Sequence, residues 1–297
     1  MRIAFTFLAL AVFLTLAVWA LHSGTADGAA APAASGTPAL DALAAAGFGD
    51  AGWRLDGVWD DGKAEFCVYE VDWARYGEAW PGKALLVVVK EPWAPELDVK
   101  ADRPRADGFE VLKLNHARDV RTGIYEYHQM ASLFVDRLGG GLAKLATTSA
   151  EACGITTATL LDGELATHSY FDGQGESRAP YPGGLPEDGL PLLLRELVAG
   201  EPPVRVEVFP SLLTGRLPAL EPAAYTVERT ADGDAVEIVL RNETNRLSYR
   251  FEKAAPHRLL AFAAGDGTRY RLARCDRLAY WELARPGAEE WWPRGLR

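Results

Sequence analysis

The run Phe66-Cys67-Val68-Tyr69-Glu70-Val71-Asp72-Trp73 sets Cys67, Tyr69, Val71 and Trp73 against Phe66, Val68, Glu70 and Asp72 in strict alternation. Period two belongs to an extended strand, whose successive side chains leave opposite faces. A Pro81-Gly82 turn follows, then the apolar run Ala84 to Val89, so the two segments read as a hairpin with a buried second strand.

Outward from this hairpin the same signals recur. Strands are expected at 109–115, 124–135, 142–149 and 155–161, the last turning at Asp162-Gly163 into 164–171, because Asp-Gly suits a tight hairpin turn. After a loop rich in Pro and Gly, Leu190, Leu193, Leu194, Leu197 and Val198 fall at helical spacing, with Asp188 placed to cap the start and Gly200 to end the helix. A meander follows at 204–209, 225–229, 236–242, 247–253, 258–263 and 269–275, with a final segment through Trp281. Leu247, Tyr249 and Phe251 alternate there with Arg246, Ser248, Arg250 and Glu252, the pattern of a sheet with one wet face. Strands this frequent, with so few helices, exclude a parallel βαβ architecture. The expected fold is mainly β and α-light: an antiparallel meander forming curved or packed sheets, with one amphipathic helix against a face.

Towards the N-terminus, Arg2 precedes Ile3 to Leu21, 19 residues in which only Thr6 and Thr15 are polar. About 20 apolar residues span a bilayer, whereas a cleaved signal has an apolar stretch of about 7–15, so residues 1–21 read as a signal peptide or signal anchor. The cation before the run and Asp27 and Asp41 after it orient the chain outward. No cysteine follows the run to take a lipid. From His22 to Pro38, thirteen of seventeen residues are Ala, Gly, Ser or Pro, a flexible linker over 22–38. Thr37, Pro38 and Gly47 frame a short helix, and the body divides into a first β-rich half, 39–185, and a helix plus meander, 186–297, or forms one continuous domain over 39–297. The expected location is periplasmic or otherwise extracytoplasmic, secreted or anchored by residues 3–21, with membrane contact through that segment only.

A formal charge of −10 argues against a nucleic-acid partner, since phosphate binding needs a net basic face. Gly47-Phe48-Gly49-Asp50-Ala51-Gly52 matches the dinucleotide fingerprint in letters, but a helix precedes it and an extended segment follows, the reverse of what phosphate cradling needs. No nucleophile elbow, phosphate loop, H-E-x-x-H or C-x-x-C is present, so no catalytic residue, cofactor site or metal site is assigned. His116, His128, His168 and His257 are scattered; strand pairing could join His128 and His168, but their spacing gives no support. Asp172, Glu176, Glu187 and Asp188 are the acidic candidates for carboxylate chemistry, which requires two carboxyls about 5–10 Å apart.

Three cysteines in an oxidising compartment leave at least one without an intramolecular partner. Cys67 reads as a small buried residue of its strand, while Cys153 and Cys275 lie nearer turns, and a Cys153–Cys275 bridge is the pairing expected. Nine tryptophans form either an aromatic platform or core packing; Trp73, sharing a face with Tyr69 and Val71, favours packing. Trp73, Tyr249 and Phe251 form the candidate binding surface.

The segments Asp61-Gly62-Lys63-Ala64-Glu65, Arg75-Tyr76-Gly77-Glu78, Val99-Lys100-Ala101-Asp102, Val111-Leu112-Lys113-Leu114-Asn115, Thr122-Gly123-Ile124-Tyr125, Thr147 to Gly154, Ser169-Tyr170-Phe171 and Ala255-Pro256-His257-Arg258-Leu259-Leu260, with the closing Tyr280-Trp281, resemble an uncharacterised family of exported bacterial proteins. Many members look like lipoproteins, and they often carry the label "septum formation inhibitor Maf", a misnomer here because features of the Maf nucleotide pyrophosphatases are lacking. Ala152 and Ile155 stand where an aromatic residue and a histidine flank that family's cysteine. The resemblance implies an envelope location and no specific activity. The function expected is non-catalytic binding of an apolar, polysaccharide or protein ligand on a β scaffold; the alternatives are a carboxylate-based hydrolase and a carbohydrate-binding module using exposed tryptophans.

Overall fold

The computed structural model describes residues 51–200 and 202–288, all within a compact unit spanning Ala34–Arg297. The apolar run 3–21, the linker 22–38, the short helix before Gly47 and the terminal Trp291-Trp292 lie outside the described residues. Among those described, no helix is long and apolar enough to cross a membrane.

The protein is mainly β, and both strand-rich halves of the sequence enter one 16-stranded sheet. A single helical turn, α1 (Gly52–Leu55), precedes β1 (Ala64–Arg75), β2 (Glu78–Ala94), β3 (Val99–Lys100), β4 (Phe109–Thr122) and β5 (Tyr125–Asp136). The first half continues through β6 (Leu142–Glu151), β7 (Gly154–Leu161), β8 (Glu164–His168) and β9 (Glu176–Pro180). Then come the two-residue β10 (Leu185–Pro186) and a helical segment built of a 3-10 turn (Glu187–Gly189), α2 (Leu190–Leu193) and a second 3-10 turn (Leu194–Leu197). The meander is β11 (Arg205–Phe209), β12 (Ala223–Asp232), β13 (Ala235–Arg241), β14 (Arg246–Glu252), β15 (Leu259–Ala263) and β16 (Arg269–Leu278). The order is β10-β11-β12-β13-β14-β15-β16-β1-β2-β4-β5-β6-β7-β8-β9, with β3 added beside β2. Every pairing is antiparallel except β10 with β11. The last strand thus returns to the first, and the sheet's two end strands, β9 and β10, are four residues apart in sequence.

Two turns show how local chemistry sets register. Asp162 and Gly163 both take positive φ, +49° and +73°, as the expected Asp-Gly hairpin requires. The first hairpin, by contrast, turns at Tyr76-Gly77 rather than at Pro81-Gly82. Pro81 fits inside β2 because pairing with β4 begins one residue later, at Gly82, so no partner strand needs its missing N–H. A Cβ on Gly82 would lie 2.5 Å from the Val120 side chain and 2.8 Å from the Asp119 carbonyl oxygen, which explains a glycine there.

The inward face of the sheet packs on the helical segment. Leu112, Leu114, Leu133, Leu145, Leu160, Ile238, Leu240, Leu247 and Phe251 meet Leu190, Leu192, Leu193, Leu194 and Leu197 in one core. The segment differs from the expected amphipathic helix in being buried nearly all round. Its polar residues are accommodated by ion pairs: Arg195 meets Glu65 of β1 at 2.6 Å, and Glu196 meets Arg54 of α1. Asp188 does not cap it; that carboxylate binds the chain at Ser211-Leu212 instead. The apolar run in β2 is buried on both faces because Ala64, Val87 and Val89 form a small outer cluster with Phe66, Leu85 and Tyr280.

The disulfide differs from expectation as well. Cys67 and Cys275 are directly opposed on β1 and β16, with Cα atoms 4.0 Å apart, and they form the bridge. Directly opposed residues bring Cβ atoms within disulfide reach, whereas pairing Cys275 with Cys153 would have to cross five strand spacings of about 4.8 Å each. Cys153 lies in the β6–β7 turn as an exposed free thiol.

Candidate functional site

The inward face changes character along the strands. At one end it presents leucines; at the other the same alternation brings His116 and Arg118 from β4, Gln129 from β5, and Thr147 and Ser149 from β6 to buried positions. Buried polar groups need partners, and here they form a network. Arg118 donates from Nε to Gln129 Oε1 at 2.9 Å and from Nη1 to the Tyr270 hydroxyl at 2.6 Å. Its Nη2 donates to Gln129 Oε1 and, at 3.5 Å, to the Leu213 carbonyl. Gln129 Nε2 in turn donates to Ser149 Oγ at 2.8 Å and to the Leu213 carbonyl at 3.2 Å. The 210–218 stretch is held across this end by these bonds, by Thr147 Oγ1 to the Leu212 carbonyl at 3.3 Å, and by Asp188, which accepts from Ser211 Oγ at 2.5 Å and Leu212 N at 2.7 Å.

A cavity of about 290 Å³ remains between this stretch, the start of the helical segment and strands β1, β4 and β14 to β16. Its aromatic wall is a cross-strand ladder. Tyr249 opposes Phe262, and Phe262 opposes Tyr270; their rings lie nearly parallel, with centroids 5.6 and 3.9 Å apart. Trp73 completes the wall, with the Arg118 guanidinium 5.0 Å from its ring centre. His116 stands edge-on to Tyr270 and Phe262, and its Nε2 is buried with no hydrogen-bond partner among the described residues. Burial, aided by the charge of Arg118, lowers the His116 pKa to about 3, so the ring is neutral. Burial raises Tyr270 to about 12 against the opposing pull of Arg118.

The acidic side of the cavity is built from Glu187, Asp188 and Asp266. Burial pushes Glu187 up to about 7; the Gly265 N–H, donating to its Oε1 at 2.8 Å, opposes this, while Asp188 and Asp266 add to it. Burial also raises Asp188, against the lowering effect of the Ser211 and Leu212 donors.

Of the candidate surface, the structure brings Trp73 and Tyr249 to the cavity, while Phe251 lies fully in the core beneath Tyr249. Of the acidic candidates, Glu187 and Asp188 reach it; Glu176 pairs with His168 on the sheet rim, and Asp172 lies in the neighbouring turn. His128 and His168 do not meet, because β6 and β7 separate their strands, and His128 pairs with Asp119 at 2.7 Å. Trp53, Trp59, Trp73 and Trp93 are 1–4% exposed, so they pack rather than present a flat platform. Among the described residues one group of three metal-type donors occurs, Glu65, Cys67 and Cys275, but the sulfurs are bonded to each other and the carboxylate to Arg195.

Sequence reasoning missed His116, Arg118 and Gln129 as site residues. The strand over 109–115 is expected to stop at Asn115, whereas β4 runs to Thr122; carrying its inward phase from Leu112 and Leu114 onward reaches His116 and Arg118. A charged residue in an inward phase was the available signal.

No protein-family model matches the chain. No curated protein matches it either. Among solved structures the chain is similar to a crystal structure described as a β-barrel-like protein of the domain of unknown function DUF1849 from Brucella abortus, at 12% identity. The match covers 72% of this chain and 98% of that chain, with a TM-score of 0.39.

Proposed function

We propose that this is an exported, non-catalytic binding protein that holds a small ligand in the cavity between its sheet and its helical segment. The observation that carries the reading is the cavity itself. It is lined by buried polar groups of both signs and by His116, whose buried Nε2 has no partner among the described residues, where a structural core would be filled with apolar side chains. Hydrolysis by paired carboxylates is the weaker reading, because both Asp188 oxygens are already engaged by Ser211 and Leu212 and so are poorly placed to act on a substrate.

Export is part of the proposal. It rests on the apolar run 3–21, on the resemblance to exported bacterial proteins, and on the Cys67–Cys275 disulfide, which suits an oxidising compartment. Native mass spectrometry of the protein purified from its own host tests the binding reading. Wild-type protein is expected to retain a small-molecule mass that an Ala264→Trp variant, with the cavity filled, loses. Identical bound-mass profiles for the two proteins would overturn it.

A further inference from the structure

Three arginines line the cavity, and among the described residues none of them meets a carboxylate. Arg75 lies over the rings of Trp73 and Tyr76, at 5.6 and 4.8 Å, and Arg216 lies over Phe171 at 4.5 Å. Arg118 is only 5% exposed, yet its hydrogen-bond acceptors are all neutral: an amide, a phenol and a carbonyl. A buried cation without a counter-charge is costly unless something neutralises it. Asp188 supplies part of the compensating field, but its oxygens face Ser211 and Leu212.

The donor count indicates what is missing. A guanidinium carries five N–H groups. Arg118 directs one from Nε, one from Nη1 and two from Nη2 to protein acceptors, which leaves one on Nη1. Tyr270 accepts from that same Nη1, so its own O–H has a hydrogen to donate and meets no acceptor among the described residues. Two donors on adjacent atoms, one of them on a cation, match the two oxygens of a carboxylate. Beside them Trp73, Phe262 and Tyr249 line the cavity, a wall that suits an apolar or aromatic body.

We infer that the ligand is a small organic carboxylate, its charge held by Arg118 and Tyr270 and its body against Trp73 and Phe262. The inference rests on the binding reading above and adds the chemical class. The test is saturation-transfer NMR titration of the full-length protein with three probes of one shape: 3-phenylpropionate, 3-phenylpropanamide and 3-phenylpropylammonium. The carboxylate is expected to bind at least about tenfold more tightly than either other probe, the difference made by one charge-assisted hydrogen bond. Tyr270→Phe, which keeps the ring, should weaken the carboxylate about tenfold and leave the amide nearly unchanged; Arg118→Lys, which keeps the charge and loses the fork, should do likewise. Equal or tighter binding of the amide or the ammonium probe overturns the carboxylate inference and leaves the cavity reading standing. If none of the three binds, or if Ala264→Trp binds all three as the wild type does, both fall.

Discussion

Replacing Glu187 with glutamine should stabilise the protein, and only above mildly acidic pH. The folded-state pKa is about 7 against 4.5 for an ordinary glutamate, so between these values the folded chain binds more protons than the unfolded one. Stability from this group is therefore full below pH 4.5 and is lost as pH rises through 7. Each pKa unit is worth about 1.4 kcal/mol, and contact with solvent through the cavity mouth reduces the whole, so the cost at pH 8 is about 2–3 kcal/mol. Glutamine keeps an Oε1 to accept from the Gly265 N–H, now at 2.8 Å, and removes the charge. Urea unfolding of the oxidised wild-type and Glu187→Gln proteins, followed by tryptophan emission from pH 4 to 8.5, reads the effect of Glu187 with its neighbours Asp188 and Asp266, since titrating groups that do not interact with it cancel in the difference. The variant should match the wild type near pH 4 and exceed it by about 2–3 kcal/mol at pH 8. Parallel stability profiles across that range would refute the assignment of a desolvated Glu187.

Arg195→Met should cost about 3–5 kcal/mol because it leaves the Glu65 carboxylate buried alone, and pairing it with Glu65→Leu should recover most of the loss in the same unfolding assay. Leu197→Ala, at a position 2% exposed in the middle of the core, should cost about 2–5 kcal/mol by transfer and cavity terms, read as a fall in the urea midpoint at unchanged slope. Joint replacement of Cys67 and Cys275 by alanine opens a loop of 208 residues and should lower stability by about 2–5 kcal/mol; replacing Cys153 should change it little.

Much of the scaffold is legible in the sequence. Alternation from Phe66 to Trp73 and from Arg246 to Glu252, the Asp162-Gly163 turn and the leucine spacing from Leu190 all report local preferences, and local preferences are carried by neighbouring residues. Periodicity along one strand names a face, but not the strand it will meet. That Cys67 opposes Cys275 follows from the return of β16 to β1, a contact between residues 208 apart that no local pattern encodes. The helical segment was legible as apolar on one stripe, yet its burial on all sides depends on Glu65 and Arg54, which lie more than 100 residues away, arriving to pair with Arg195 and Glu196. The cavity is of the same kind. His116, Arg118, Gln129, Glu187, Tyr249 and Tyr270 come from four strands and a turn, and each alone reads as an ordinary strand or loop residue. The sequence by itself determined which residues form strands and which side of each strand is apolar; the tertiary structure decided which polar side chains share one buried space, because that depends on pairings whose partners are far apart in the chain.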